Sequence, residues 1–208
     1  MARRRRLPRL PGRDPRARAR HPVLATLADA DQAALRALRT RAHGGVPDAV
    51  MRALGVAGEW GAVWAASGIA AAAVDRRRRR RWVATTAVAP AAIGVNFVIK
   101  LAVGRRRPIL EEHPPLARAP TKLSFPSAHA TSSLAAATAM GRVAPGGRPA
   151  LYGLAAAICL SRPYLGMHYP SDVLAGAALG IALGRLAPGL DADARIASSG
   201  PDTVVPAP

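Results

Sequence analysis

Between Val56 and Leu186 the chain consists of five apolar segments whose ionisable residues gather at the ends rather than along the lengths. A charge in the middle of a lipid-facing helix is costly, so this placement favours helices that cross or lie against a bilayer. Val56 to Val74 comes first, interrupted by Glu59 alone, and stops at Asp75 and the six arginines Arg76 to Arg81. Trp82 to Val103 is second, with an interfacial Trp at its start and Pro90 to bend it. The third runs from Pro126 to Ala144 and ends in the turn Pro145-Gly146-Gly147; a shorter fourth, Ala150 to Leu160, leads to Ser161-Arg162-Pro163; the fifth is Tyr169 to Leu186. No strand alternation and no internal repeat is present, so the expected fold is all-α. It is a polytopic membrane helix bundle of about five transmembrane helices plus an N-terminal amphipathic helix. Several segments are shorter than a comfortable single span, which points to tilted or partly interfacial helices.

Composition supports this reading. Half the residues are hydrophobic but only 4% are aromatic, and small apolar residues suit helices that approach closely in lipid. Residues 1–22 are expected to be a disordered basic arm, since the first 20 hold nine arginines and no apolar periodicity. The arm does not read as a secretory signal, because no apolar stretch directly follows its basic region. Residues 23–55 are expected to form amphipathic interfacial helices. There Asp29 or Asp31 caps a helix in which Ala33, Leu35 and Leu38 alternate with Arg36, Arg39 and Arg41, ending at Gly44-Gly45. Residues 56–187 form the transmembrane domain, and 188–208 a disordered tail. The net charge of +18 calls for anionic partners. In a chain with apolar segments these are membrane lipids, with the arm on anionic headgroups and no nucleic acid expected. Cys159, the lone cysteine, reads as a small packing residue.

The polar residues at the segment ends are the informative ones. Lys100 lies near the end of the second segment and Arg107 just beyond it, His129 opens the third, Arg162 follows the fourth, and His168 and Asp172 flank the start of the fifth. If successive helices run up and down, all six meet on one side of the bilayer. Three cations, two imidazoles and a carboxylate are what is needed to hold a phosphoryl dianion and attack it. Pro126 is placed to begin helix three, which leaves the amides of Ser127, Ala128 and His129 free at the positive end of the helix dipole, where an anion binds. Pro170 begins helix five, with His168 before it and Asp172 in its first turn. A carboxylate bonded to one ring nitrogen leaves the other as a nucleophile, and His129 is then the acid for the leaving alkoxide and the aid to the attacking water. Each residue also has a plainer use. Lys100 and Arg107 could anchor at the interface, Arg162 and Asp172 could be a structural ion pair, and Asn96 could bond a neighbouring helix. Met167 reads as packing, and His21, His43 and His113 fall outside the cluster.

The strings KLAVGRRRP from Lys100 to Pro108, PSAH from Pro126 to His129 and SRPYLGMHYPSD from Ser161 to Asp172 resemble the three signatures of the type 2 phosphatidic acid phosphatase superfamily, K-x6-RP, PSGH and SR-x5-H-x3-D. They occur in that order over roughly Asn96 to Leu186. The resemblance implies a helical catalytic core, a phosphohistidine intermediate, and no metal or other cofactor. It implies that Lys100, Arg107 and Arg162 bind phosphate oxygens, Ser127 adds a hydroxyl or amide contact and Ala128 an amide. His168 attacks, Asp172 orients it, and His129 serves the leaving group. Ala128 stands where the family usually has Gly, a change tolerated if the residue has helical dihedrals. The implied substrates are lipid phosphates taken from the membrane, monoesters or diphosphates of the polyprenyl-phosphate or phosphatidate type. Among the short bacterial members the chain looks most like enzymes of the decaprenylphosphoryl-phosphoribose phosphatase kind.

The arginines at positions 76–81, Arg142, Arg148 and Arg185 lie opposite the expected site, which favours an extracytoplasmic site, although with five spans the basic arm falls on the site's own side. Two other functions share these features. A vanadium-dependent haloperoxidase is similar in its anion-binding residues, and a non-catalytic membrane protein could use the arm to recruit nucleic acid or acidic lipid.

Overall fold

The computed structural model describes residues 22–41, 43–188 and 190. The arm expected over 1–22 and the tail expected over 188–208 lie outside them, save for boundary positions. Eight α-helices are described: α1 Pro22–Thr40, α2 Gly45–Ala57, α3 Ala62–Val74, α4 Arg79–Thr86, α5 Val88–Val103, α6 Ala128–Val143, α7 Arg148–Tyr164 and α8 Pro170–Leu186. No strand occurs among the described residues, and one antiparallel bridge joins Arg106 to Leu123.

The bundle is built around α6, which is buried at every residue from Ala130 to Gly141. Its sequence, ten of sixteen residues Ala, Ser or Thr, leaves room for neighbours and supplies hydroxyls that bind them. Ser133 Oγ accepts from the buried Trp64 Nε1 of α3 at 3.0 Å, Thr131 Oγ1 accepts from Asn96 Nδ2 of α5 at 2.9 Å, and Thr138 Oγ1 bonds the Tyr152 hydroxyl of α7 at 2.9 Å. Asn96 thus does bond a neighbouring helix. The closest approach is to α8, where Gly176, Gly180 and Gly184 form a stripe at one-turn intervals. An added Cβ at each would overlap a carbonyl oxygen of Ser127, Thr131 or Ala135. Small residues of this kind let two backbones touch, and the contact fixes Asp172 of α8 against the start of α6.

Several expected boundaries shift for local reasons. The first segment is broken rather than continuous: Trp60 adopts φ 53° and Gly61 φ 74°, so α2 ends at Ala57 and α3 starts at Ala62. The arginines expected to close that segment instead open the next. Asp75 caps the turn Arg76–Arg78 through the Arg78 amide at 3.2 Å and also accepts from Trp82 Nε1 at 3.2 Å. Pro90 acts as expected, but one turn earlier: lacking an N–H for the carbonyl of Thr86, it sits beyond an interruption at Ala87 that separates α4 from α5. The run from Arg76 to Val103 holds 28 residues, includes an 18-residue stretch of mean hydropathy 1.7, and is long and apolar enough to cross a membrane. The fourth segment extends past Leu160 through Pro163 to Tyr164.

Helix α1 departs most from expectation. Asp31 does not cap it but lies mid-helix, and its buried face carries Asp31, Leu35 and Arg39, which are 7%, 0% and 5% exposed. Arg39 donates to the carbonyls of Tyr164 at 2.8 Å and Pro114 at 2.7 Å. The helix is therefore docked on the loops before α6 and after α7 through charged groups, rather than divided into an apolar and a basic face. At the opposite end of the bundle, arginines close helix C-termini: Arg142 donates to Gly184 O and Ala187 O at 3.0 and 2.9 Å, and Arg148 to Gly141 O at 2.9 Å.

Candidate active site

The end of α5, the starts of α6 and α8, the end of α7 and the turn between α2 and α3 surround one cavity of about 500 Å³. Lys100, Arg107, His129, Arg162 and His168 all line it, and Ser127 and Asp172 lie buried behind. The residues singled out from sequence are therefore brought together.

His168, 2% exposed, occupies the tight turn before α8. Its Nδ1 is 3.5 Å from Asp172 Oδ2 and 3.3 Å from Ser124 Oγ, while Ser124 Oγ donates a short hydrogen bond to Asp172 Oδ2. On the other side, Arg107 NH1 is 3.1 Å from His168 Nε2. Arg107 can only donate, so Nε2 carries the lone pair and Nδ1 the proton. Burial pushes the His168 imidazole down to about 3, against the raising effect of its hydrogen bond to Asp172, so the ring is neutral near neutral pH. The remaining bonds of Arg107 go to Thr121 O at 2.9 Å and Met167 O at 2.7 Å.

Lys100, 5% exposed, donates to Ser124 O at 3.2 Å and Pro126 O at 2.9 Å. It lines the cavity while tying down the loop that leads into α6. Helix α6 begins two residues later than expected, at Ala128. Pro126 precedes it after a cis peptide bond with Phe125, Ser127 is the N-cap, and the Ser127 amide is not free but donates to Asp172 O at 2.9 Å. The open amides are those of Ala128 and His129 in the first turn. Ala128 has an ordinary negative φ, so its methyl group needs no strained backbone. His129 Nε2 is 3.0 Å from Gly55 O.

Arg162 does not pair with Asp172. It is 5% exposed, its Nε is buried without a hydrogen-bond partner, and the same holds for Ser127 Oγ. Two orphaned donors beside a cation-lined cavity are what an anion's oxygens satisfy. Among the described residues no three His, Cys, Asp or Glu side chains group as metal ligands.

Three residues of the site escaped sequence reasoning. Asp172 Oδ1 accepts from Arg105 NH1 at 2.8 Å. Arg105 NH2 in turn donates to Asp31 Oδ2 at 2.7 Å, and Asp31 Oδ1 accepts from the Ser171 amide at 2.9 Å. Ser124 is the third, bridging His168 and Asp172. The run Arg105-Arg106-Arg107 offered three candidates, and the family spacing selects Arg107 alone. Asp31 stands 74 positions before Arg105, and its one sequence cue was an acid in helical register with Leu35 and Arg39. Asp31→Asn leaves Arg105 without its second carboxylate, and a loss of about 1–3 kcal/mol is expected. A lowered melting temperature in detergent measures it.

His43 bonds Asp48 at 3.2 Å and Leu38 O at 2.9 Å, outside the cluster as expected. His21 lies outside the described residues.

Among known proteins, the PAP2 superfamily profile matches residues 81–194. A decaprenylphosphoryl-5-phosphoribose phosphatase of Mycobacterium tuberculosis (strain H37Rv) is 45% identical over 108 residues, 50% of this chain and 58% of that protein. One from Mycolicibacterium smegmatis is 42% identical over 128 residues, 60% of this chain and 68% of that protein. The match thus spans little more than half the length of the M. tuberculosis relative. A transmembrane PAP2 type phosphatidylglycerolphosphate phosphatase from Bacillus subtilis has the same fold, with a TM-score of 0.66 at 24% identity over 85% of this chain and 90% of that one.

Proposed function

The chain belongs to the PAP2 superfamily, and from that premise we propose that it is a phosphatase of lipid-linked phosphate monoesters acting through a phosphohistidine on His168. The observation that carries this reading is the pair of orphaned donors, Arg162 Nε and Ser127 Oγ, set around a neutral His168 whose Nε2 lone pair is defined by Arg107.

In the first step Nε2 attacks phosphorus and the bond to the leaving oxygen breaks. His129 enters this step as the imidazolium, its Nε2–H held by Gly55 O, and gives the leaving oxygen its Nδ1 proton. In the second, water attacks the phosphohistidine, the P–N bond breaks, His129 receives the water's proton and inorganic phosphate leaves. Lys100, Arg107 and Arg162, with the amides of Ala128 and His129 and the Ser127 hydroxyl, hold the equatorial oxygens, whose charge grows towards the transition state. Asp172 stabilises the imidazolium character that His168 acquires on attack. No step calls on a metal.

The relatives' names favour a prenyl-linked phosphoribose as substrate. We read the chain as a multi-pass protein of the cell membrane, with α3, α4–α5, α6, α7 and α8 as its five crossings. The ends facing the cavity alternate along the chain, and Ile69, Val98, Leu101, Leu160 and Leu174 are exposed on the outer faces. The exposed arginines at the opposite end support a cytoplasmic position for that end and a site outside.

The test is release of inorganic phosphate by detergent-purified protein from a panel of prenyl-phosphate sugars, phosphatidate and phosphatidylglycerophosphate, with excess EDTA. Turnover of at least one lipid undiminished by EDTA is expected. Silence on the whole panel, or turnover that EDTA removes and a divalent cation restores, would refute the reading.

A further inference from the structure

The phosphate cradle explains the cations of the cavity but leaves its mouth unexplained. Glu59 is the one carboxylate among the described residues lining this cavity. A carboxylate near three cation-held phosphate oxygens repels the phosphate, so beyond the negative charge it sets against Arg162 it is available to another part of the substrate, one that offers hydrogen-bond donors. Beside it stands Trp60, which also lines the cavity, is 71% exposed and adopts φ 53°. A non-glycine residue in that region is uncommon, and such strain is held where a side chain has to be aimed.

The position of this turn relative to the chemistry is fixed by His129. Its Nε2 bonds Gly55 O at 3.0 Å, and the ring edge packs so tightly on Gly58 that an added Cβ there would meet His129 Cδ2 at 2.9 Å. Gly55 O can only accept, so the Nε2 proton of His129 is committed there and an alcohol is served by Nδ1; it meets residues 59 and 60 because Glu59, Trp60 and His129 line the same cavity. What meets it there is a carboxylate followed by an indole face. Hydroxyl groups donate to the first, and the C–H face of a sugar ring lies on the second.

We propose that Glu59 and Trp60 form a subsite for a sugar leaving group and set the preference of the enzyme for phosphorylated sugars linked to lipid. The proposal rests on the phosphatase reading above and adds the part of the substrate that is recognised. Neither residue falls within the matched span of the family, residues 81–194, so this subsite belongs to the segment that precedes the shared core.

The experiment compares kcat/KM for three substrates in detergent: a prenyl-phosphate-linked pentose phosphate, its analogue lacking the ring hydroxyls, and phosphatidate. Wild type is expected to prefer the hydroxylated pentose over its analogue by roughly 10-fold. Glu59→Gln, nearly isosteric, should cut that preference to about twofold by lowering turnover of the hydroxylated substrate alone. Trp60→Leu should lower both pentose substrates by roughly 10-fold with phosphatidate changed less than about twofold. An unchanged preference in Glu59→Gln overturns the proposal, as does a parallel fall on all three substrates in Trp60→Leu, the result for a membrane anchor or a folding defect. Wild type inert on all three removes the phosphatase reading itself, an outcome distinct from either.

Discussion

His168→Ala is expected to lower phosphate release by roughly 10⁴-fold or more, the scale on which loss of a nucleophile or its base acts in enzymes that form covalent intermediates. The size follows from the geometry. Nε2 is the atom held towards the cavity as an acceptor by Arg107, and Nδ1 is committed to Asp172 and Ser124. Of the neighbouring groups, the hydroxyl of Ser124 is bonded to Asp172 and the thiol of Cys159 is buried among core residues. His168→Gln separates chemistry from fold, because it fills the same space and keeps a polar group against Asp172. It should be as inactive as the alanine variant yet still bind vanadate, since the three cations and the Ser127 hydroxyl remain. Activity within tenfold of wild type in either variant would place the nucleophile elsewhere.

The second large effect is expected at Arg162. Arg162→Lys keeps the charge but loses the planar fork, and kcat should fall about 10²–10³-fold, the usual cost of removing one preorganised donor from a transition-state oxyanion. KM should change far less, because the phosphate's ground-state charge is still met by Lys100 and Arg107. The contrast with Lys100 is instructive. Lys100 spends hydrogen bonds on Ser124 O and Pro126 O, whereas Arg162 Nε has no partner. Equal falls in 1/KM and no change in kcat for Arg162→Lys would mean that Arg162 serves only binding.

Much of this site was legible because it lies at helix ends. The cost of charge within apolar segments put Lys100, His129, Arg162, His168 and Asp172 at segment ends, and up-and-down topology then forced them to one side. The same logic located the start of α8 through Pro170 and the end of α7 near Arg162. It failed where a contact depends on chain segments far apart and on register. Asp31 reads as a helix cap by residue type, yet tertiary packing buries it against Arg105 and Ser171. The break at Trp60 was hidden because the residues around it, Val56 to Val74, are uniformly apolar apart from Glu59, and a positive φ at tryptophan has no sequence signature. The start of α6 shifted because Ser127 spends its amide on Asp172 O, a bond made possible by the glycine stripe of α8 and invisible until the two helices are packed.

The central claim is a phosphoryl group carried on one imidazole nitrogen. Rapid acid-free quenching of the enzyme with phosphorus-labelled lipid substrate, followed by peptide mapping at alkaline pH, tests it directly. The label is expected on the peptide containing His168, stable to alkali, lost in mild acid and absent from His168→Gln. Steady turnover with label on any other residue, or with no labelled peptide in His129→Ala given an activated aryl phosphate whose leaving group needs no proton, would contradict it.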